Sequence, residues 1–254
     1  MLSSLLTILF AVAPARSLQS FLAVRYLMTT YGEGALRELI RAAGAFPCVI
    51  NSGNANHPDI VNFMEESVFE KRIRAIFGAA ISGDLQHLNL LLIPRTSEQE
   101  YKLYLYLREV ARQSPTHRIP PLYLYDLLHT RSPESYAYGL DRTLCLKERL
   151  EDLTGKPIDD ASLLHAIKES NAARKSIHKL LQLRRQEPRI TGTEAVALIG
   201  ASYFMHRDEY ARLADRAAEM IGDRRPLAGK RLMIAKSFFH DRTRWFPFPV
   251  PIIH

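Results

Sequence analysis

Cysteine is nearly missing from this 254-residue chain: Cys48 and Cys145 are the only two. They stand far apart among apolar neighbours, so they form neither a metal-ligand spacing nor a disulfide framework. Two buried, reduced thiols in a cytoplasmic protein are what such usage indicates. Long apolar runs are missing as well. Residues 1–15, MLSSLLTILFAVAPA, come nearest to one and carry the small residues Ala13 and Ala15 of a signal-peptide end. No Lys or Arg precedes the run, and it is too short for a transmembrane helix. An amphipathic N-terminal helix or a misassigned start accounts for it better than export does. Nucleic-acid signatures are absent too, although the formal charge is +7. Residues 223–254 carry seven Lys or Arg against two Asp, so the basic excess is concentrated there and the rest is nearly neutral. The expected partners therefore include neither nucleic acid nor a membrane.

What is present is ordinary globular sequence, 47% hydrophobic and 24% charged, long enough to bury a substantial core. Its most informative stretch is residues 85–112. Residues 88–93 form an apolar run without alternation, as expected of a strand covered on both faces, and Pro94 stops it. Ser97 and Glu100 stand in capping-box relation, which predicts a helix beginning near Glu98. Its N-terminus faces the Arg95-Thr96-Ser97 turn at the strand's carboxyl end, where parallel sheets hold ligands. Apolar and polar residues also alternate over residues 101–108, which leaves a strand open there.

Around this stretch the pattern repeats. Leu36, Leu39, Ile40 and Ala43 share a helical face that Gly44 ends; Phe46 to Ile50 reads as a strand. Residues 51–57 read as a loop. Pro58 opens a helical stretch with Ile60, Met64, Val68, Ile76 and Phe77 on one face, closed by Gly83, and residues 122–127 supply a third strand. Strands alternating with helices predict an α/β fold with a parallel sheet. Helices follow, with apolar Leu140, Leu144, Leu150 and Leu153 in the first, which Gly155 ends. Asp159 or Asp160 caps the second, whose stripe is Leu163, Leu164, Ile167, Ile177, Leu180 and Leu181. Thr191 and Glu194 make another capping box, and the last helix carries Tyr210, Leu213, Ala217 and Met220 up to Gly222. A strand at residues 231–235 follows, then a tail in which Pro247, Pro249 and Pro251 forbid interior structure. The expected organisation is an atypical segment at 1–28, a parallel-sheet lobe at 29–133, a helical segment at 134–222, and at 223–254 the first strand of an incomplete second α/β lobe with an irregular tail. That tail is expected to be poorly ordered after about Arg242.

Three passages carry a family resemblance: ELIRAAGAFP, ISGDLQHLNLLLIPRTSEQEYKLYLYLREV, and LKERLEDLTGKPIDDASLLHAIKESNAARKSIHKLLQLRR. With them the chain resembles the D-component-like subunits of the 2-hydroxyacyl-CoA dehydratase and benzoyl-CoA reductase family over about residues 32–241. The resemblance implies two Rossmann-like lobes flanking a helical segment, pairing of two related subunits, a [4Fe–4S] cluster held by three cysteines beside an acyl-CoA, and an ATP-dependent activator that supplies electrons. The implied chemistry is radical-based: syn-elimination of water from a 2-hydroxyacyl-CoA, or reduction of an aromatic acyl-CoA. Relatives that bear a cluster would place a cysteine in a Pro-x-Thr-Cys-Asp type loop. Here Pro94-Arg95-Thr96-Ser97-Glu98 stands in that place, and a serine hydroxyl is a far weaker ligand for iron than a thiolate. No cysteine falls in residues 67–74, where an earlier family cysteine would lie. The expectation is a subunit without its own cluster, contributing acyl-CoA contacts and partnering a related cysteine-bearing subunit. The alternative is a truncated, inactive remnant or scaffolding partner. Arg95, Thr96 and Ser97 are the candidate cofactor-binding residues, with Arg95 placed to meet a CoA phosphate or carboxylate. His129 and His165 are candidate acid/base groups; no metal ligand is expected within the chain.

Overall fold

A computed structural model describes residues 23–27, 33–50, 60–64, 68–128, 130–185 and 187–228. The N-terminal apolar run, the 51–57 loop, His129, the expected strand at 231–235 and the proline-rich tail lie outside them. The chain divides into two compact units whose boundary falls at residues 166 and 167.

The first unit is built on four parallel strands: β1 (Ala23–Leu27), β2 (Phe46–Ile50), β3 (Leu90–Pro94) and β4 (Leu122–Tyr125), in the order β2-β1-β3-β4. The α/β reading with a small parallel sheet therefore holds. β3 is buried along its whole length, as its unalternating apolar sequence requires. Pro47 lies in β2, an edge strand, where a missing N–H donor is tolerated. β4 stops at Tyr125, two residues earlier than the sequence indicates. β1 is the strand that the sequence conceals: AVRYL is short and interrupted by Arg25, yet it pairs with β2 on one side and β3 on the other.

Helices connect the strands. α1 (Glu33–Ala42) ends at Gly44, whose φ of 79° is the left-handed turn that glycine adopts without strain. The stretch after Pro58 forms not one helix but two pieces, α2 (Ile60–Phe63) and α3 (Lys71–Ile81). Ile60, Met64, Ile76 and Phe77 are buried as expected, whereas Val68 falls in the break between them and is exposed. α4 (Glu98–Gln113) settles the ambiguity over residues 101–108 in favour of helix. Leu103, Leu107 and Val110 recur at the spacing of one helical face and are buried in the same core as β3, Ile73, Ile76 and Phe77. α5 (Pro133–Thr154) starts at the Ser132 cap and ends at Gly155, φ 67°. Its inward residues are Leu146 and Leu150, while Leu140 and Leu144 face outward.

α6 (Asp160–Gln182) begins at a cap in which the Asp159 carboxylate accepts from the Ser162 N–H at 2.8 Å, and it runs across the unit boundary. In the second unit its later turns join α7 (Gly192–Ala201) and α8 (Arg207–Gly222). Their core is rich in alanine, with Ala173, Ala195, Ala201, Ala214 and Ala217 around Leu180, Leu198, Tyr210 and Ile221, so the helices can approach closely. Two residues expected in the α6 stripe, Leu164 and Leu181, are exposed instead. The guanidinium of Arg189 donates to the Gly222 and Arg224 carbonyls, both at 2.6 Å, and satisfies acceptors left open at the end of α8.

Candidate functional site at the carboxyl end of the sheet

The sheet order fixes where a ligand crevice can form. Chain order passes from β1 outward to β2, then returns to place β3 on the other side of β1. Loops leaving neighbouring strands on opposite sides of such a reversal open a crevice at their carboxyl ends. The loop after β3 is Arg95-Thr96-Ser97, and the N-terminus of α4 opens onto it.

Every side chain of this loop is held. Ser97 adopts an extended backbone, φ −146° and ψ 160°, and its hydroxyl accepts from the Glu100 N–H at 3.3 Å. Thr96 donates to one Glu100 carboxylate oxygen through its N–H, at 3.1 Å, and through its hydroxyl. The other oxygen of Glu100 accepts from Nη2 of Arg72, in the first turn of α3, at 3.1 Å. Glu100 is 2% exposed, so this carboxylate works in a region of low dielectric. Arg95 donates through Nη1 to Asp126 Oδ2 at 3.3 Å, stacks its guanidinium 4.4 Å from the Tyr101 ring centre, and approaches Glu98 at 3.8 Å. Its side chain remains 38% exposed, which leaves guanidinium surface open to an anion at the sheet's edge.

Four residues belong to this arrangement that sequence reasoning missed. Asp126 directly follows β4, the position equivalent to Arg95 after β3, and could have been found by the same strand-end rule. It also accepts from the Tyr138 hydroxyl at 3.2 Å. Burial, and then the charge of Asp126, push the Tyr138 phenol above its ordinary range, so it stays protonated as a donor. Arg142 stacks 5.4 Å from the Tyr138 ring centre. Arg72 had no sequence signal beyond its place in a helix. Its Nε and Nη1 are buried without hydrogen-bond partners.

The cluster implied by the resemblance does not fit the residues of this chain that the structure describes. Ser97, which the resemblance sets at the loop position of a thiolate, has its oxygen occupied by the cap. Cys48 is buried in β2 with its thiol directed to the Val49 carbonyl, and Cys145 lies half-buried in α5. Among the described residues no three His, Cys, Asp or Glu side chains gather as a metal site. His165 is exposed on α6, and His129 lies outside the described residues. A groove of about 520 Å³ belongs to the second unit, lined by Asn171, Arg174, Lys175, His178, Lys179 and Gln182. These residues all come from α6, so the groove is the flank of one helix and not an enclosed site. Among the described residues, no helix is long and apolar enough to cross a membrane.

Comparison with known proteins adds what geometry cannot. A family model described as 2-hydroxyglutaryl-CoA dehydratase, D-component, matches residues 35–247, most of the chain. No curated protein matches it.

Proposed function

This chain belongs to the 2-hydroxyglutaryl-CoA dehydratase D-component family, and we propose that it serves as a cluster-free subunit of a 2-hydroxyacyl-CoA dehydratase or benzoyl-CoA reductase type complex. Its part is to contribute acyl-CoA contacts and a surface for a related cysteine-bearing subunit, which would hold the [4Fe–4S] cluster and receive electrons from an ATP-dependent activator. The observation that carries the reading is the loop after β3. It occupies the crevice position in the sheet, it presents the partly exposed guanidinium of Arg95, and it has a capping hydroxyl where a cluster would need a thiolate. Arg95 would meet a CoA phosphate or carboxylate, while Thr96 and Ser97 keep the loop in shape through Glu100. The compartment that goes with this chemistry and with the two reduced thiols is the cytoplasm.

A second reading has an observation of its own. Thr96, Ser97 and Glu100 spend their hydrogen bonds within the fold, which suits an inactive relative or scaffolding partner as well as a binding loop. Purification alone and with a co-expressed cysteine-bearing family member, together with its activator, separates the two. The subunit reading expects iron and acyl-CoA turnover only in the joint preparation, with turnover reduced at least tenfold by Arg95→Ala. Turnover that is indifferent to Arg95 favours the scaffolding partner, and a joint preparation in which this chain does not bind favours the inactive relative.

A further inference from the structure

The outward face of α5 carries large apolar side chains in a line. Tyr136 is 76% exposed, Leu140 50% and Leu144 49%, each four residues from the next, and exposed Glu148 continues the same spacing. Positions four apart lie one above another on a helix, so these four side chains form one stripe. Single exposed leucines are common on soluble proteins; an aligned patch of three marks a contact surface. The inward face is already filled, with Ser135, Leu146 and Leu150 buried, so the stripe is surplus to the fold of its own unit.

We propose that this stripe binds the same stripe of a second copy of the chain, as an antiparallel helix pair about a two-fold axis passing between Leu140 and Leu144. The order of residues carries the choice of occupant. Read along the helix the stripe is Tyr, Leu, Leu, Glu, and reversed against itself it places Leu140 opposite the partner's Leu144 and Tyr136 opposite the partner's Glu148. Both contacts then occur twice, as a two-fold interface requires. The leucines cover one another, and each phenol donates to a carboxylate at either end. A parallel pairing would set Glu148 against Glu148. Asp141, which borders the stripe, is ion-paired with Arg142, so its charge does not stand alone beside the leucines. Ala137 beside the stripe leaves room for close approach of the backbones. One helix face covers less than the roughly 800 Å² per partner of a standard interface, so the pairing is reversible and concentration-dependent.

Sedimentation equilibrium of the full chain over about 1–300 μM tests this. The wild type should pass from monomer to dimer within that range, and Leu140→Asp combined with Leu144→Asp should weaken the dimer at least tenfold without changing the far-ultraviolet circular dichroism. The register has its own test. Tyr136→Glu and Glu148→Lys should each weaken association about threefold to tenfold, and the two together should restore it, because the new charges face each other only in the antiparallel pairing. Both of these residues are exposed, so this pair remains informative if the leucine variants fail to fold. A wild type that stays monomeric throughout, alone or while binding a related subunit through this face, overturns the proposal. A dimer that ignores the leucine substitutions, or a charge pair that fails to restore association, overturns it too.

Discussion

Ser97-x-x-Glu100 and Thr191-x-x-Glu194 carry the same helix-start signature, and the chain folds them differently. At α7 a single residue does everything: the Thr191 hydroxyl accepts from the Glu194 N–H, while its N–H and hydroxyl both bond the Glu194 carboxylate at 2.9 Å. At α4 the work is divided. Ser97 accepts from the Glu100 N–H, but the Glu100 carboxylate reaches one residue further back, to Thr96. Each glutamate also holds an arginine from elsewhere, Arg224 for Glu194 and Arg72 for Glu100. Burial separates the two pairs: the side chains of Arg72 and Glu100 are 14% and 3% exposed, those of Arg224 and Glu194 33% and 22%. The same spacing of hydroxyl and carboxylate thus gives a partly solvated cap in the helical unit and a buried, charge-tied anchor for a loop at the carboxyl edge of the sheet.

Breaking the buried version should have the largest effect. Glu100→Ala leaves the Arg72 guanidinium in a nearly closed environment without its counter-charge, a kind of loss that costs about 3–5 kcal/mol. It also frees Thr96 and so loosens the loop that carries Arg95. The expected outcome in urea unfolding is a large fall in midpoint; a change no greater than that of a solvated cap would refute the anchoring role of Glu100. Thr191→Ala, by contrast, removes a cap with water nearby and should cost about 1–2 kcal/mol. A Thr191 variant as damaging as the Glu100 variant would show that burial does not distinguish the two sites.

The two boxes also show how far the sequence could be read. Both helix starts were legible, because a capping box is a local signature, and so were β2 and β3, whose apolar character survives without knowledge of their neighbours. β1 was not. Its place at the centre of the sheet depends on β2 and β3, and AVRYL with Arg25 in its middle lacks the unbroken apolar run that identifies a central parallel strand. Leucine content likewise failed to give the inward face of α5. Leucines occupy both sides of that helix, and packing selects Leu146 and Leu150 while leaving Leu140 and Leu144 outside. In the candidate site, Arg95, Thr96 and Ser97 were readable from their place after a strand. Their partners Arg72, Asp126 and Tyr138 come from other elements, and such pairings have no signature in a single sequence.

A third substitution extends the comparison to a buried polar group that has no partner at all. Tyr210 of α8 is 1% exposed and its hydroxyl makes no hydrogen bond, and burial pushes the phenol above its ordinary range. A buried hydroxyl left unsatisfied is a net cost, in contrast to Glu100, whose burial is compensated on every side. Tyr210→Phe removes that hydroxyl while keeping the ring that packs among Leu198, Ala214 and Ala217. The expected result is a gain of about 1 kcal/mol in thermal or urea unfolding, and a loss of stability would show that the hydroxyl has a partner in solution.

The smallest effect expected is one of pH, and it falls on the solvated box. Burial works to raise the Glu194 carboxyl, but the N–H of Thr191, the guanidinium of Arg224 and the Thr191 hydroxyl outweigh it and hold the group below the usual carboxylate range. A carboxyl depressed in the folded state gives stability that is fully present above its unfolded value and is lost as pH falls through the folded one. The contribution of Glu194 is therefore intact at neutral pH and declines below about pH 4.3, the ordinary glutamate value. Its side chain is 22% exposed and its ion pair is partly solvated, so the amount at stake is under about 1 kcal/mol. Glu194→Gln should flatten the acid limb of the stability profile by that amount and leave stability above pH 6 lowered by the same small, constant difference. A variant that parallels the wild type through the acid range would show that Glu194 titrates normally in the folded chain.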